Sequence, residues 1–185
     1  MRFLTRNQAA ALLKELPEHL RDMATFSLAT GLRAANVTGL TWQQVDLHRK
    51  MAFVLPEQAK ACRAIPVPFN DAAMAVVQRQ KGKHVHKVFT FEGEPVKQVN
   101  TKAWKKALNR AGIEDFRWHD LRHTWASWHV QNGTPLHVLQ ELGGWQSATM
   151  VRRYAHFGVE HLAAYADRTD FRGTNTAQQT ESRAH

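Results

Sequence analysis

The stretch HDLRHTWASW, residues 119–128, decides how this chain is read. Placed on a helix, Leu121, Trp125 and Trp128 share one stripe, while His119, Arg122, Ala126 and His129 share another. The tryptophan stripe predicts a face turned to the core. The second stripe opens near the helix N-terminus, where unpaired backbone N–H groups and the helix dipole favour an anion. An arginine fork matches two phosphate oxygens, and a histidine passes a proton near neutral pH. His119 and His123 also have the i, i+4 spacing of a helical zinc pair. Against zinc, the base of such a site is a glutamate, Asp120 is shorter, and no spacing marks a third ligand. His84 and His86 alternate among lysines, which repel a cation. The residues therefore argue against a metal site. A plainer alternative stays open at this point: the charged residues are the wet edge of a buried helix.

Outward from that stretch the pattern is mostly helical. It predicts an α+β chain, mainly α with a small antiparallel β-hairpin or three-stranded sheet. Thr5 with Gln8 has the form of a capping box and opens a helix to about Leu16, which Pro17 ends. A second helix runs through RDMATFSLAT to Gly31, followed by the short amphipathic piece AANVTGL. MAFVLP and CRAIPVP read as the strands of a hairpin with EQAKA at its turn, and HKVFTF reads as a third strand. Asn70 and Asn100 are expected to cap helices, the second stopped by Gly112. From Trp118 the chain is helical again, broken at Gly133 and at LGGW. Ser147 then caps a helix carrying ATMVRRYAHF, and VEHLAAYAD forms the last helix. The expected boundaries are one domain over residues 1–171 and a polar, mobile tail over 172–185.

Composition narrows the partners. A chain of 185 residues with 43% apolar content can bury one real core. No apolar run approaches the roughly 20 residues of a membrane span, and the start lacks a secretory signal. The single Cys62 excludes an internal disulfide and suits a reducing, cytoplasmic setting. Lys and Arg number 25 against 16 Asp and Glu, a formal charge of +9, which predicts attraction to DNA or RNA.

Three further stretches change the weight of HDLRH. ATGLRAANVTGLTW, HDLRHTW and LGGWQSATMVRRYAHF, taken in order, resemble the tyrosine recombinases, the phage integrase family. The resemblance runs from RFLTRNQAAALL to about residue 165. The first stretch is similar to the family's first arginine box and makes Arg33 the match. HDLRH is similar to the second box, giving His119 and Arg122. Trp145 falls where members carry Gly-His or Gly-Trp, and Tyr154 falls nine residues later, at the place of the nucleophile. PEQAKACRAIPVPFNDAA looks like the family's β-hairpin with its catalytic lysine, giving Lys60, with Arg63 close by on the same hairpin. One position departs: the usual acidic residue three after the first arginine is Asn36, which can orient a neighbour but supplies no charge.

The resemblance implies DNA strand cleavage and rejoining through a covalent 3′-phosphotyrosine, for integration or excision, with no metal or high-energy cofactor. It assigns Arg33 and Arg122 to the phosphate oxygens, Trp145 to an indole N–H, His119 to proton transfer, Lys60 to the departing 5′ oxygen and Tyr154 to attack. Double-stranded DNA is the implied partner, with a tetramer on DNA for the full-length protein and a monomer for this piece alone. Members carry a further N-terminal DNA-clamping domain, so the chain is expected to be the catalytic domain. The alternative is a catalytically impaired DNA-binding relic, motivated by the +9 charge and Asn36.

Overall fold

The computed structural model describes residues 2–55 and 64–156. Helix α1 (Arg6–Glu15) opens on the capping box that the sequence predicts. The Thr5 hydroxyl accepts from the Gln8 backbone N–H, and the Gln8 side chain accepts from the Thr5 N–H. Helix α2 (Glu18–Thr30) begins straight after Pro17 and ends at Gly31, whose φ of 67° is the left-handed conformation glycine adopts without strain. Helix α3 (Ala34–Gly39) follows, with Arg33 at its N-cap.

Strands β1 (Val45–Asp46), β2 (Met51–Val54) and β3 (Ile65–Pro68) form one antiparallel sheet in the order β1-β2-β3. The predicted hairpin is present as β2 and β3, with Met51 opposite Pro68 and Val54 opposite Ile65. The third strand differs from expectation. It is β1, while HKVFTF makes an isolated bridge from Lys87 to Thr41 and contributes β4 (Thr90–Phe91) to a separate ribbon with β5 (Glu94–Pro95). Glu92 and Gly93 both take positive φ, making the two-residue turn that folds β4 back on β5.

Helix α4 (Asp71–Gln80) is capped by Asn70, whose side chain accepts from the Ala73 N–H. Helix α5 (Lys102–Arg110) is capped by Thr101 rather than the expected Asn100, because the Thr101 hydroxyl reaches the Trp104 N–H. Helices α6 (Asp120–Gln131), α7 (Leu136–Gly143) and α8 (Ala148–Arg152) complete the described chain. Helix α8 stops at Arg152, short of the ATMVRRYAHF expected, and Ser147 makes no side-chain cap bond there. The expected hairpin turn with Lys60, the VEHLAAYAD helix, the domain limit at 171 and the polar tail lie outside the described residues. Among those described, no helix is long and apolar enough to cross a membrane.

Helix α6 is the centre of the architecture. It packs on α2 and α7, and α7 packs on α8 and β3. The core divides at this helix. A larger cluster gathers residues from α1, α2, α4, α5 and the sheet up to Leu121, and a smaller one holds Trp125, Ala126, Val130, Leu139, Trp145, Val151 and Tyr154. Because α6 is covered on several sides, the two-stripe division expected of it is too simple. Arg122 and Ala126 are buried along with Leu121 and Trp125. Trp128 is only half-buried: its indole N–H donates to the Leu4 carbonyl at 2.9 Å, and Arg6 lies 3.8 Å over its ring.

Candidate active site

Arg122 projects from the first turn of α6 into the seam between the two clusters. One guanidinium N–H donates to the Gly31 carbonyl and another to the Gly143 carbonyl, each at 2.6 Å. These carbonyls close α2 and α7, so the cation occupies the negative ends of two helix dipoles. That placement answers how a charge only 5% exposed is tolerated. The Trp145 ring lies 4.2 Å from the guanidinium carbon and covers one face of it. Burial, then the charge of Arg33, lower the Arg122 pKa to about 9, which leaves it a cation at neutral pH. Burial also lowers that of Arg33, half-buried at the start of α3.

The glycines make this geometry possible. A Cβ on Gly31 would run into the Trp125 ring, and one on Gly143 into the Trp145 ring. Gly143→Ala is therefore expected to displace Trp145 from Arg122 and to cost about 1–3 kcal/mol, the usual range for overpacking. Urea unfolding measures the cost, and loss of indole quenching on denaturation reports the shift of the ring.

Tyr154 lies just past α8, 1% exposed, in the smaller cluster. Its ring centroid is 5.8 Å from that of Trp145, which in turn is 6.0 Å from Trp125. The Tyr154 hydroxyl and His123 Nδ1 are 2.6 Å apart. Burial raises the Tyr154 pKa, and the positive charges of Arg122 and Arg153 oppose that rise. Burial and the neighbouring His119 lower the His123 pKa to about 4, so its imidazole is neutral at pH 7. His119 is at the N-cap of α6, exposed, with its ring 5.0 Å edge-on from that of His123. Partial burial of that ring and the charge of Arg122 lower its pKa too.

Five of the six residues expected from sequence thus fall around one seam: Arg33, His119, Arg122, Trp145 and Tyr154. Lys60 lies outside the described residues. Asn36 is buried one turn of α3 beyond Arg33. The residue that sequence reasoning undervalued is His123. Its signal was present in the i, i+4 pair with His119, which pointed instead towards metal. Among the described residues no group of three or more His, Cys, Asp or Glu is placed to hold a metal ion.

The described chain thus places a tyrosine hydroxyl against one histidine, with a second histidine and the buried Arg122 close by, on a mainly helical domain. The family model described as the phage integrase family matches residues 2–161, and the chain belongs to that family. It is 45% identical to the integrase of Salmonella phage P22 over 99% of this chain and 51% of that protein. It is 32% identical to the tyrosine recombinase XerD of Lacticaseibacillus casei, over 85% of this chain and 57% of the other. The chain thus spans about half the length of the curated relatives it matches. Among solved structures, the catalytic domain of bacteriophage HP1 integrase superposes with a TM-score of 0.70 at 25% identity, covering 92% of this chain and 96% of that one. A Tn1549 transposon integrase in complex with a circular-intermediate DNA shares the fold, with a TM-score of 0.76 at 19% identity over 90% of this chain and 65% of the other. Relatives named as integrases and recombinases do not favour the binding-only alternative.

Proposed function

We propose that this chain is the catalytic part of a site-specific DNA recombinase, cleaving and rejoining strands through a 3′-phosphotyrosine at Tyr154. The observation that carries the reading is the seam itself, where the charge of Arg33 acts on the buried Arg122 and the charge of Arg122 in turn acts on the Tyr154 hydroxyl. Two like charges held close gain when an anion comes between them, and a phosphodiester is such an anion. Of the five N–H groups on a guanidinium, two on Arg122 serve the Gly31 and Gly143 carbonyls, and the fork geometry leaves others for phosphate oxygens.

The chemistry assigned to each residue follows from cost. Ionising an ordinary tyrosine at pH 7 requires about 4 kcal/mol, and burial of Tyr154 adds to that. Attack therefore needs either a base at the hydroxyl or cations at the phosphate, and this reading supplies the cations through Arg33 and Arg122. In it Trp145 shields Arg122 and offers an indole N–H, His119 moves a proton at the open edge, and Lys60 protonates the departing 5′ oxygen. Double-stranded DNA is the substrate and partner, bound in the cytoplasm, and the whole recombinase assembles as a tetramer on it. The net charge of +9 supports the choice of polyanion. The proposed domain ends near residue 171.

The test is covalent capture. Short duplexes with a randomised core and a nick let the 5′ fragment diffuse away, so cleavage leaves protein joined to DNA. With EDTA present, a species stable to denaturing electrophoresis is expected, and mass spectrometry should place the nucleotide on the Tyr154 peptide. Attachment at another residue, or no adduct from any core, would sink the proposal.

A further inference from the structure

We infer that His123 is a further catalytic residue, accepting the proton of the Tyr154 hydroxyl through Nδ1 as that hydroxyl attacks phosphorus. The inference rests on the strand-cleavage reading above and adds to it the identity of the base. Three observations carry it. The Nδ1 to hydroxyl distance of 2.6 Å is that of a strong hydrogen bond, already made before DNA arrives. The ring is anchored on the second turn of α6, a rigid element, while Tyr154 comes from the end of α8, so the contact is tertiary and fixed from one side. His123 also lines an open cavity with Arg2, Asp115, Arg117, Asp120 and Arg153, which gives an accepted proton a route to solvent.

The groups facing His123 define when it can act. From α6 these are His119, Asp120 and Arg122; beyond α8 they are Tyr154 and Arg153; across the cavity they are Arg2, Asp115 and Arg117. The buried setting, and after it the neighbouring His119 and the cations, keep the imidazole neutral, the form whose Nδ1 lone pair can accept when Nε2 carries the proton. Complete transfer in the resting protein is strongly disfavoured, since burial lowers the imidazole to about 4 and raises the phenol above its ordinary value. Transfer must therefore accompany attack. As the tyrosine oxygen bonds to phosphorus its hydroxyl becomes strongly acidic, and the incoming phosphate charge stabilises the imidazolium.

The step balances. The Tyr154 O–H bond breaks and a His123 Nδ1–H bond forms; the Tyr154 O–P bond forms and the P–O5′ bond breaks. The departing 5′ oxygen takes a proton from the acid on its own side or from water. In rejoining, a 5′ hydroxyl attacks phosphorus and gives its proton to the group that had protonated the 5′ oxygen or to water, the Tyr154 O–P bond breaks, and His123 returns a proton to the tyrosine oxygen.

Single-turnover capture on the nicked duplexes tests this, comparing wild type with His123→Ala and with His123→Gln, which can still hydrogen-bond. Circular dichroism and gel retardation check that the variants fold and bind DNA. Both are expected to lose about 10²–10⁴-fold in rate, the range of a general base. Wild type should be nearly flat across neutral pH. The variants should rise about tenfold per pH unit as hydroxide takes over the deprotonation. Added imidazole should partly restore His123→Ala. The captured core, resynthesised with sulfur in place of the 5′ bridging oxygen, needs no proton on its leaving group and should leave the variants slow. Variant rates within about threefold of wild type would overturn the inference on that same range. So would rescue by the sulfur substrate, or a wild-type pH profile with no response to imidazole. If wild type itself forms no adduct, the strand-cleavage reading fails and takes this inference with it; a slow or fast variant beside an active wild type bears on His123 alone.

Discussion

Tyr154→Phe is expected to abolish covalent capture of nicked DNA while lowering stability by only about 1 kcal/mol, the net value of one hydrogen bond. The two effects separate because the residue has two roles at different atoms. Its ring packs in the smaller cluster beside Trp145, and phenylalanine keeps that packing. Its hydroxyl contributes the bond to His123 and, in the proposed reaction, the attacking oxygen. His123 is half-buried and borders an open cavity, so water can replace the lost partner. Denaturing gels measure the adduct, and urea titration measures the stability. An adduct that persists in Tyr154→Phe would place the nucleophile elsewhere. A fall of several kcal/mol would mean that the hydroxyl, and not the ring, holds α8 in place.

Arg122→Lys is expected to be the most damaging charge-conserving change in the chain. A lysine keeps the cation but presents a single nitrogen, so it cannot span the carbonyls of Gly31 and Gly143 with the fork that arginine uses. One buried carbonyl at a helix end then goes unsatisfied, at about 1–3 kcal/mol. The flat stacking on Trp145 is lost as well. Because α2 and α7 meet through this side chain, the change also loosens the seam that positions Tyr154. Capture rates should drop by about 10³-fold or more, as when an arginine contact to a transferring phosphoryl group is removed. The checks are the urea midpoint and single-turnover capture measured on the same preparation. Near-normal capture with normal stability would show that Arg122 neither braces the seam nor reads the phosphate.

Much of this site was legible one segment at a time. Arg33, His119, Arg122, Trp145 and Tyr154 each stood in a recognisable stretch, and each stretch carried a local stop or cap that located it on an element. Arg122 was legible as a candidate for holding phosphate, but its burial was not. Nothing in HDLRH says that α6 is covered by α2 on one side and α7 on another. Trp128 erred in the opposite direction. Helical spacing placed it with Trp125, yet the N-terminal segment meets it at the surface and takes its indole N–H. The third strand failed for a similar reason. HKVFTF has strand character, but a two-residue turn at Glu92 and Gly93 pairs it with the chain that follows rather than with the hairpin.

What the sequence by itself determined are the features built from neighbours within about four residues: the capping box at Thr5, the caps at Asn70 and near residue 100, the glycine stops at Gly31, Gly112 and Gly144, and the order of the site residues. Those rest on backbone hydrogen bonds and turn geometry that short segments settle alone. The tertiary structure alone decided the partners. Arg122 reaches a carbonyl 91 residues away and another 21 away, and Tyr154 finds a histidine 31 residues back. Such contacts depend on where helix ends meet after the core has packed, and side-chain spacing along one helix carries no record of that meeting. His123 shows the consequence: its position was plain in the sequence, and its partner existed only in the fold.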